Sequence, residues 1–569
     1  MKRKSMKPIL SGILAMAMVL GMTACGGSDA GTTAAPNGTA APAGATAAEG
    51  TEAAGGAVGS GFGEGLVYLN QVQEMDTAAI ESAKKDLVVA QSKDPGSMLP
   101  YNVSPSIYAT SGWMVCERLA AFDENLDVVP VLVEGYEYSE DGLTLKFTLK
   151  KGVKYSTGEE MVAADVLGVI QNYVANSSLA SGQKDLFDYT AVTAEDDYTI
   201  SMKLNYQCSF AHEILTKICA IPLSYQQEKG DSIGIDGIIG TGAYMLDEYK
   251  EGEYIRLAAN PNYWDAEHMP KLDSITFQFI SESSVALIEL QNGNVDFIFD
   301  PSGVEYNDVA AGGYENLLAV ECPSLACQSI FFNATGVLSD VRLRQAICYA
   351  LDTESINLSV FEGVGGAGTS LVPTGLWAYD EKMADYYNYD PEKAKSLLAE
   401  AGYADGLTVK MVCASTSAFK GISEMMLSQL AEVGITLQIE YADNATANSL
   451  TQDSSDFDIA IRQAGFTEEP HGGLAKYVMS TKGTNGGTNL SKTAGIPEAE
   501  AIDALMDQII SITDKGERKA AYAAVQEAYY DQAYGYAVHE NVDIYCMASS
   551  LKGVVRTSGY LNFQYCYFD

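Results

Sequence analysis

Gly363-Val364-Gly365-Gly366-Ala367-Gly368 spells G-x-G-x-x-G, the pattern with which a strand-to-helix turn cradles the pyrophosphate of a dinucleotide. Here the run follows a helical pattern and opens no βαβ unit, so it reads as a flexible loop. Other catalytic signatures are missing: no H-E-x-x-H, no G-x-x-x-x-G-K-[ST] and no Cys-His arrangement. The four histidines, His212, His268, His471 and His539, are scattered. His471 invites a metal-chelate reading, but nothing clusters around it in sequence, so no directly ligated metal and no cofactor are expected. With 75 Asp and Glu residues, carboxylate pairs in space are unavoidable, and their number argues nothing for acid–base chemistry. The reactive side chains point to binding, and no enzymatic turnover is expected.

Cysteine usage agrees. Of ten cysteines, nine remain once Cys25 is set aside, with no C-x-x-C among them. Cys322 with Cys327, or Cys208 with Cys219, could pair, but the spacing demands neither. Buried free thiols acting as small hydrophobes are the expectation.

The elements that must position a site begin after an unusual N-terminus. Basic residues up to Lys7 precede the apolar run Ile9 to Met22, too short to span a bilayer comfortably. It ends in Met22-Thr23-Ala24-Cys25, which resembles the lipobox of bacterial lipoproteins, whose cysteine is diacylated and becomes the new N-terminus. Residues 1–24 are therefore expected to be a signal peptide, with Cys25 the lipid attachment site on the outer face of the cell membrane. Residues 25–65, almost entirely Gly, Ala, Thr, Ser and Pro, cannot bury a core and read as a tether reaching roughly 35 Å. The net charge of −40 repels nucleic acid and anionic headgroups, so membrane contact is expected through the lipid alone.

The remaining chain is too long for one hydrophobic core, and at least two packed lobes are expected. Leu87 to Ala90 reads as a buried strand, Leu143 to Leu149 alternates as a half-buried one, and strand patterns recur at 198–204, 254–258 and 275–280. Asp390-Pro391 supplies a cap and a first-turn proline for a helix whose face is Ala394, Leu397, Leu398 and Ala401. Ile422 to Val433 and Glu517 to Gln532 are further helices, with a strand at 435–441 between them. Interleaved strands and helices make the class mixed α/β.

Several runs occur in an order that carries more than composition does. Glu117-Arg118-Leu119, Phe122-Asp123-Glu124-Asn125 and Val129-Pro130-Val131-Leu132 open the series. Ser139 to Thr144, Leu149 to Tyr155, Gly240-Thr241-Gly242-Ala243-Tyr244 and Asn260-Pro261-Asn262-Tyr263-Trp264 follow. Asp340 to Ala346 and Asp390 to Ala394 close it. Over residues 86–560 this series resembles the family 5 extracellular solute-binding proteins, the binding components of oligopeptide, dipeptide, nickel and haem ABC importers. Gly240 and Gly242 read as permitting a tight turn through positive φ. Tyr263 and Trp264 read as anchors, and Arg342 and Arg344 as a surface ion pair or a cap.

The resemblance implies a periplasmic-binding-protein-like fold, two lobes hinged about a cleft that closes on its ligand. Lobe 1 would combine 86–117, 226–325 and 540–569, with 118–225 inserted as a subdomain, and lobe 2 would be 326–539. It places three segments at the cleft. The first carries Tyr101, Asn102, Tyr108 and Trp113. The second supplies Trp377, with Ser370 and Pro373 beside it. The third is Gly465 to His471, where peptide-binding relatives carry a Trp and an aspartate that pairs with the peptide ammonium. This chain has Phe466 in place of the Trp, and Glu468 or Glu469 would substitute for the aspartate. The implied function is capture of a small solute, oligopeptides first, for a permease driven by cytoplasmic ATPases. Saccharides or metal chelates are the alternative ligands, and a surface sensor or adhesin without transport is the rival role.

Overall fold

Alternation and β-branched runs produce ten strands that share one sheet in the computed structural model, which describes residues 66–69, 80–103, 106–177, 183–453, 456–480, 493–557 and 560–569. The signal peptide, Cys25 and the tether lie outside the described residues. In chain order the strands are β1 (Asp86–Gln91), β2 (Tyr244–Lys250), β3 (Tyr254–Ala259), β4 (Ser274–Phe279) and β5 (Phe297–Ile298). They continue with β6 (Leu317–Phe332), β7 (Leu407–Ala414), β8 (Ile435–Ala442), β9 (Ile459–Gly465) and β10 (Gly535–Ala548). Across the sheet the order is β8-β7-β9-β6-β10-β5-β1-β4-β3-β2, with the short strand Gly366–Ala367 paired to β10. The parallel pair β7 and β8 is joined through the helix Ser417–Glu432, as parallel neighbours require, whereas the parallel pair β1 and β4 is separated by the subdomain and by β2 and β3.

The two longest strands, β6 and β10, run antiparallel to each other and pass through both lobes. Their register breaks between Pro323 and Cys327 and again between Gln328 and Ser329. A proline without an N–H and a bulge both weaken a ladder locally. The break is also where the cores change. Val320, Cys322, Tyr545 and Met547 pack into one buried cluster, whereas Cys327, Ile330, Phe331, Tyr536 and Val538 pack into a second. On one side Arg556 bonds the Pro323 carbonyl and pairs with Asp543 at 3.0 Å. On the other, Glu540 accepts from the backbone N–H and hydroxyl of Thr374.

A four-stranded antiparallel sheet, ordered 133–138, 144–149, 199–204, 187–194, forms a subdomain on the first cluster. Thr144–Leu149 alternates half-buried and buried residues, as its sequence predicts. The helix Pro391–Glu400 is capped by the Asp390 carboxylate, which accepts from Lys393 N–H at 2.9 Å. The mixed α/β, two-lobed class therefore holds.

Two local expectations are corrected. Gly240 and Gly242 do not adopt positive φ. A Cβ at either would lie 2.1–2.2 Å from the Val115 or Met114 carbonyl oxygen, so they are glycines because two backbones touch. The 363–368 run is not a flexible loop, for Gly366–Ala367 pairs with β10. A Cβ on Gly365 or Gly368 would collide with the β10 backbone at Glu540 or His539, each at 2.4 Å. Arg342 forms the ion pair with Asp340, while Arg344 is buried and donates to the Leu338 and Gln532 carbonyls. All nine described cysteines are buried and unpaired. Among the described residues, no helix is long and apolar enough to cross a membrane.

Candidate functional site at the inserted subdomain

The inserted subdomain meets both lobes, and the two contacts differ in chemistry. Toward lobe 2 it presents the 3-10 helix Ala211–Lys217 and the preceding turn. Facing it are the loop after β9 and the helix Lys515–Asp531. Lys217 Nζ lies 3.1 Å from Glu468 Oε2. Glu469 accepts from the Tyr522 hydroxyl and lies 3.6 Å from Arg518. Both carboxylates are almost sealed from solvent, 5% and 4% exposed. Lys515, Arg518 and Tyr522 recur at i, i+3 and i+7, one face of the helix. Arg518 also lies against the Trp377 and Phe210 rings. Ser209 bonds Ile510 and Ile512 across the contact, and Lys515 pairs with Asp127 at 2.6 Å.

Burial sets the protonation of this cluster. It pushes the Glu469 carboxyl up to about 7, against the opposing pull of Arg518 and the Tyr522 hydrogen bond. Glu213, buried beside it, is raised well above the carboxylate range by burial and then by repulsion from Glu469 and Glu468. Burial, the largest single influence, pulls Lys217 down, but the Glu468 charge and hydrogen bond together with Tyr560 outweigh it, and the ammonium is held above its usual value. A carboxyl kept neutral beside two charged ones is how like charges share a dry site.

Toward lobe 1 the contact encloses a cavity of about 330 Å³. Trp113, Arg118, Lys150, Trp264, His268 and Tyr560 are among the residues lining it. Glu117 and Arg118 follow the segment that Gly240 and Gly242 allow to pack, and they diverge. Glu117 accepts from Tyr263 at 2.7 Å and from Trp264 Nε1 at 2.9 Å, which is the anchoring role predicted for those rings. Arg118 Cζ sits 4.2 Å from the Trp113 ring centroid and 4.0 Å from that of Tyr560. Burial lowers the Arg118 pKa, and the nearby Tyr560 and Glu468 partly restore it. Arg118 thus stands at the junction of the cavity with the ion cluster.

The nine ligand-facing residues expected from sequence separate. Trp377, Glu468, Glu469 and His471 gather at the ion cluster: Trp377 Nε1 donates to the Glu468 carbonyl at 2.9 Å, and the His471 ring lies 5.5 Å from Phe210 and 6.5 Å from Tyr522. Trp113 lines the cavity. Tyr101 is buried in the core, its hydroxyl accepting from Cys219 N–H at 3.1 Å, and the neighbouring Asn102 is exposed on the outside. Tyr108 donates to Asp300 at 2.7 Å and contacts Ser92, within lobe 1. Phe466 packs on Tyr477 inside lobe 2. Ser370 is buried and bonds Gln526, and Pro373 is buried with it. Sequence reasoning did not single out Lys217, Glu213, Arg118, Arg518, Tyr522 or Tyr560 for the site. The i, i+3, i+7 spacing on 515–522 was the one signal available for two of them.

A mixed α/β body whose two cores share two long strands, with buried charged groups gathered where the subdomain meets the far lobe, has the two-lobed architecture of a binding protein. The model of bacterial extracellular solute-binding proteins, family 5 middle, matches residues 127–485, and the chain belongs to that family. It is 27% identical over 518 residues to haem-binding protein A of Haemophilus influenzae, covering 84% of this chain and 92% of that protein. It is 25% identical over 513 residues to the dipeptide-binding protein of Escherichia coli, covering 84% and 94%. Its fold is similar to that of the oligopeptide-binding protein AppA of Bacillus subtilis, solved with a nonapeptide. That comparison has a TM-score of 0.65 and 22% identity, covering 86% of this chain and 99% of the other.

Proposed function

We propose that this protein is the lipid-anchored, extracytoplasmic binding component of an ABC importer, that it captures a small peptide, and that it performs no chemistry on it. The observation that carries the reading is the pair of cores that, among the described residues, share the long strands β6 and β10. Such a pair can swing about its bulged register while the subdomain and lobe 2 seal or open the contact between them. The dipeptide-binding and nonapeptide-bound relatives support a peptide ligand, and the Met22-Thr23-Ala24-Cys25 run supports anchoring through Cys25.

On this reading lobe 1 is 86–117, 226–325 and 540–569, carrying the inserted 118–225, and lobe 2 is 326–539. Trp377, Glu468, Glu469 and His471 form the far wall, and Trp113 belongs to the near wall. A liganded, closed form then docks on a permease served by cytoplasmic ATPases. The test is thermal stability of the full chain against di-, tri- and pentapeptides, oligosaccharides, and nickel and haem chelates. A ligand at a hundredfold excess over its Kd adds about 2.7 kcal/mol. Peptide-selective stabilisation is expected; stabilisation by saccharide or chelate alone would replace the peptide by that ligand, and compaction in small-angle scattering checks closure.

A further inference from the structure

Glu213 is a buried carboxyl without a cation of its own. It stands on the subdomain helix Ala211–Lys217, is 9% exposed, and shares with Glu469 of lobe 2 the lining of a cavity of about 60 Å³. The cations around the pair are engaged elsewhere. Lys217 holds Glu468, Arg518 lies 3.6 Å from Glu469, and Lys515 pairs with Asp127. Arg118 rests against the Trp113 and Tyr560 rings. Among the described residues Glu213 forms no ion pair, and its nearest carboxylates, Glu469 and Glu468, repel it.

The other titratable groups facing the pair do not supply the missing charge. His212, beside Glu213 on the same helix, is hydrogen-bonded to the Tyr138 hydroxyl, and burial pulls its pKa down to about 4. Burial pushes the Cys208 thiol up to about 12 and raises the Tyr206 and Tyr522 phenols. His471, at the start of the helix His471–Val478, lies against the Phe210 and Tyr522 rings. A buried carboxyl lacking a cation is kept neutral, and two of them in one dry site share the proton as a pair. Burial raises both Glu213 and Glu469, and the pull of Lys217 and Arg518 offsets only part of the rise. The two carboxyls belong to different bodies. If the subdomain parts from lobe 2, each meets water, where a glutamate ionises near 4.3. The closed contact therefore holds more protons than the open one.

We propose that closing of the subdomain on lobe 2 takes up a proton, held between Glu213 and Glu469, so that acid favours the shut contact and a rise in pH loosens it. The sign follows from linkage: the state that binds the extra proton loses ground as pH rises. The proposal rests on the lobe-closure reading and adds the control of that motion by pH.

The Ser209 amide donates across the contact to the Ile510 carbonyl at 2.9 Å, so its exchange with solvent deuterium reports opening directly. Hydrogen exchange of the full chain without ligand, read as protection relative to the intrinsic rate at each pH, tests the proposal. Protection of Ser209 is expected to fall by about tenfold or more between about pH 5 and 8. Glu469→Gln and Glu213→Gln each remove the need for the proton, and either is expected to flatten the fall while keeping the protection seen in acid. Protection that does not vary with pH, a fall that survives both variants, or a fall abolished by His471→Gln instead would each overturn the proposal. In those outcomes the contact still opens, and capture by lobe closure stands. A Ser209 amide that exchanges only as slowly as the strand Thr144–Leu149 at every pH would mean that the contact parts only on unfolding. That result would overturn the closure reading together with the proposal.

Discussion

The inserted subdomain has two faces, and they handle buried charge differently. Against lobe 2, Lys217 pairs with Glu468 and Arg518 with Glu469, so charge is answered by charge inside the chain. Against lobe 1, Arg118 is answered by the Trp113 and Tyr560 rings, and its Nε is sealed without a hydrogen-bond partner. The first face behaves as a latch, because Lys217 and Glu468 come from opposite sides of the contact and pair inside the chain, while Glu469 Oε2 and Arg518 Nε stay without a hydrogen-bond partner. The second holds its guanidinium between rings and pairs it with no carboxylate among the described residues. A buried ion pair is weak as a source of net stability yet costly to break, which suits the proposed closure of this contact.

Breaking the latch should give the largest effect. Lys217→Met leaves Glu468 buried without its cation, and a loss of about 3–5 kcal/mol in denaturant unfolding is expected. Adding Glu468→Gln to that variant should recover a large part of it. Retention of full stability by Lys217→Met would remove the distinction between the faces.

The next effect is a pH dependence confined to the latch. Glu469 titrates near 7 in the folded chain, against about 4.3 unfolded. The folded state therefore holds the extra proton between those values, and this group's contribution is present at low pH and lost as pH rises through about 7. Glu213 shifts in the same direction. The unfolding free energy should fall between about pH 4 and 7, by up to about 4 kcal/mol for Glu469 alone. Glu469→Gln should flatten that slope, measured by unfolding at a series of pH values.

On the lobe 1 face the expected stability effect is smaller. Arg118→Gln forfeits two cation–π contacts, about 1–2 kcal/mol in total, and breaks no ion pair. A loss as large as that of Lys217→Met would mean that Arg118 belongs to the latch. The smallest stability effect is at Asn102, which is exposed to solvent. Asn102→Ala should change stability by less than about 0.5 kcal/mol and leave the stabilisation by peptides unchanged.

These faces also show how far the amino-acid order could be read. Period-two alternation at 144–149 and the cap at Asp390 depend on neighbours a few residues apart, and the structure carries them where the pattern puts them. The candidate site was legible only in part. Glu468, Glu469, Trp377 and Trp113 stood out because acidic and aromatic residues at a resembled loop invite attention. Tyr101 and Tyr108 stood out for the same reason, yet one is spent on Cys219 and the other on Asp300. A tyrosine's partner is not written in its own neighbourhood.

What the sequence by itself determined is therefore the local periodicity, the mixed α/β class and the family. Tertiary structure alone decided which charges are answered and which are not. Lys217 and Glu468 are 251 positions apart, and Gly242 is a glycine because the Met114 carbonyl lies against it. Helix and strand patterns arise from interactions between near neighbours, whereas burial and pairing of charge arise between segments that meet only when the chain has folded.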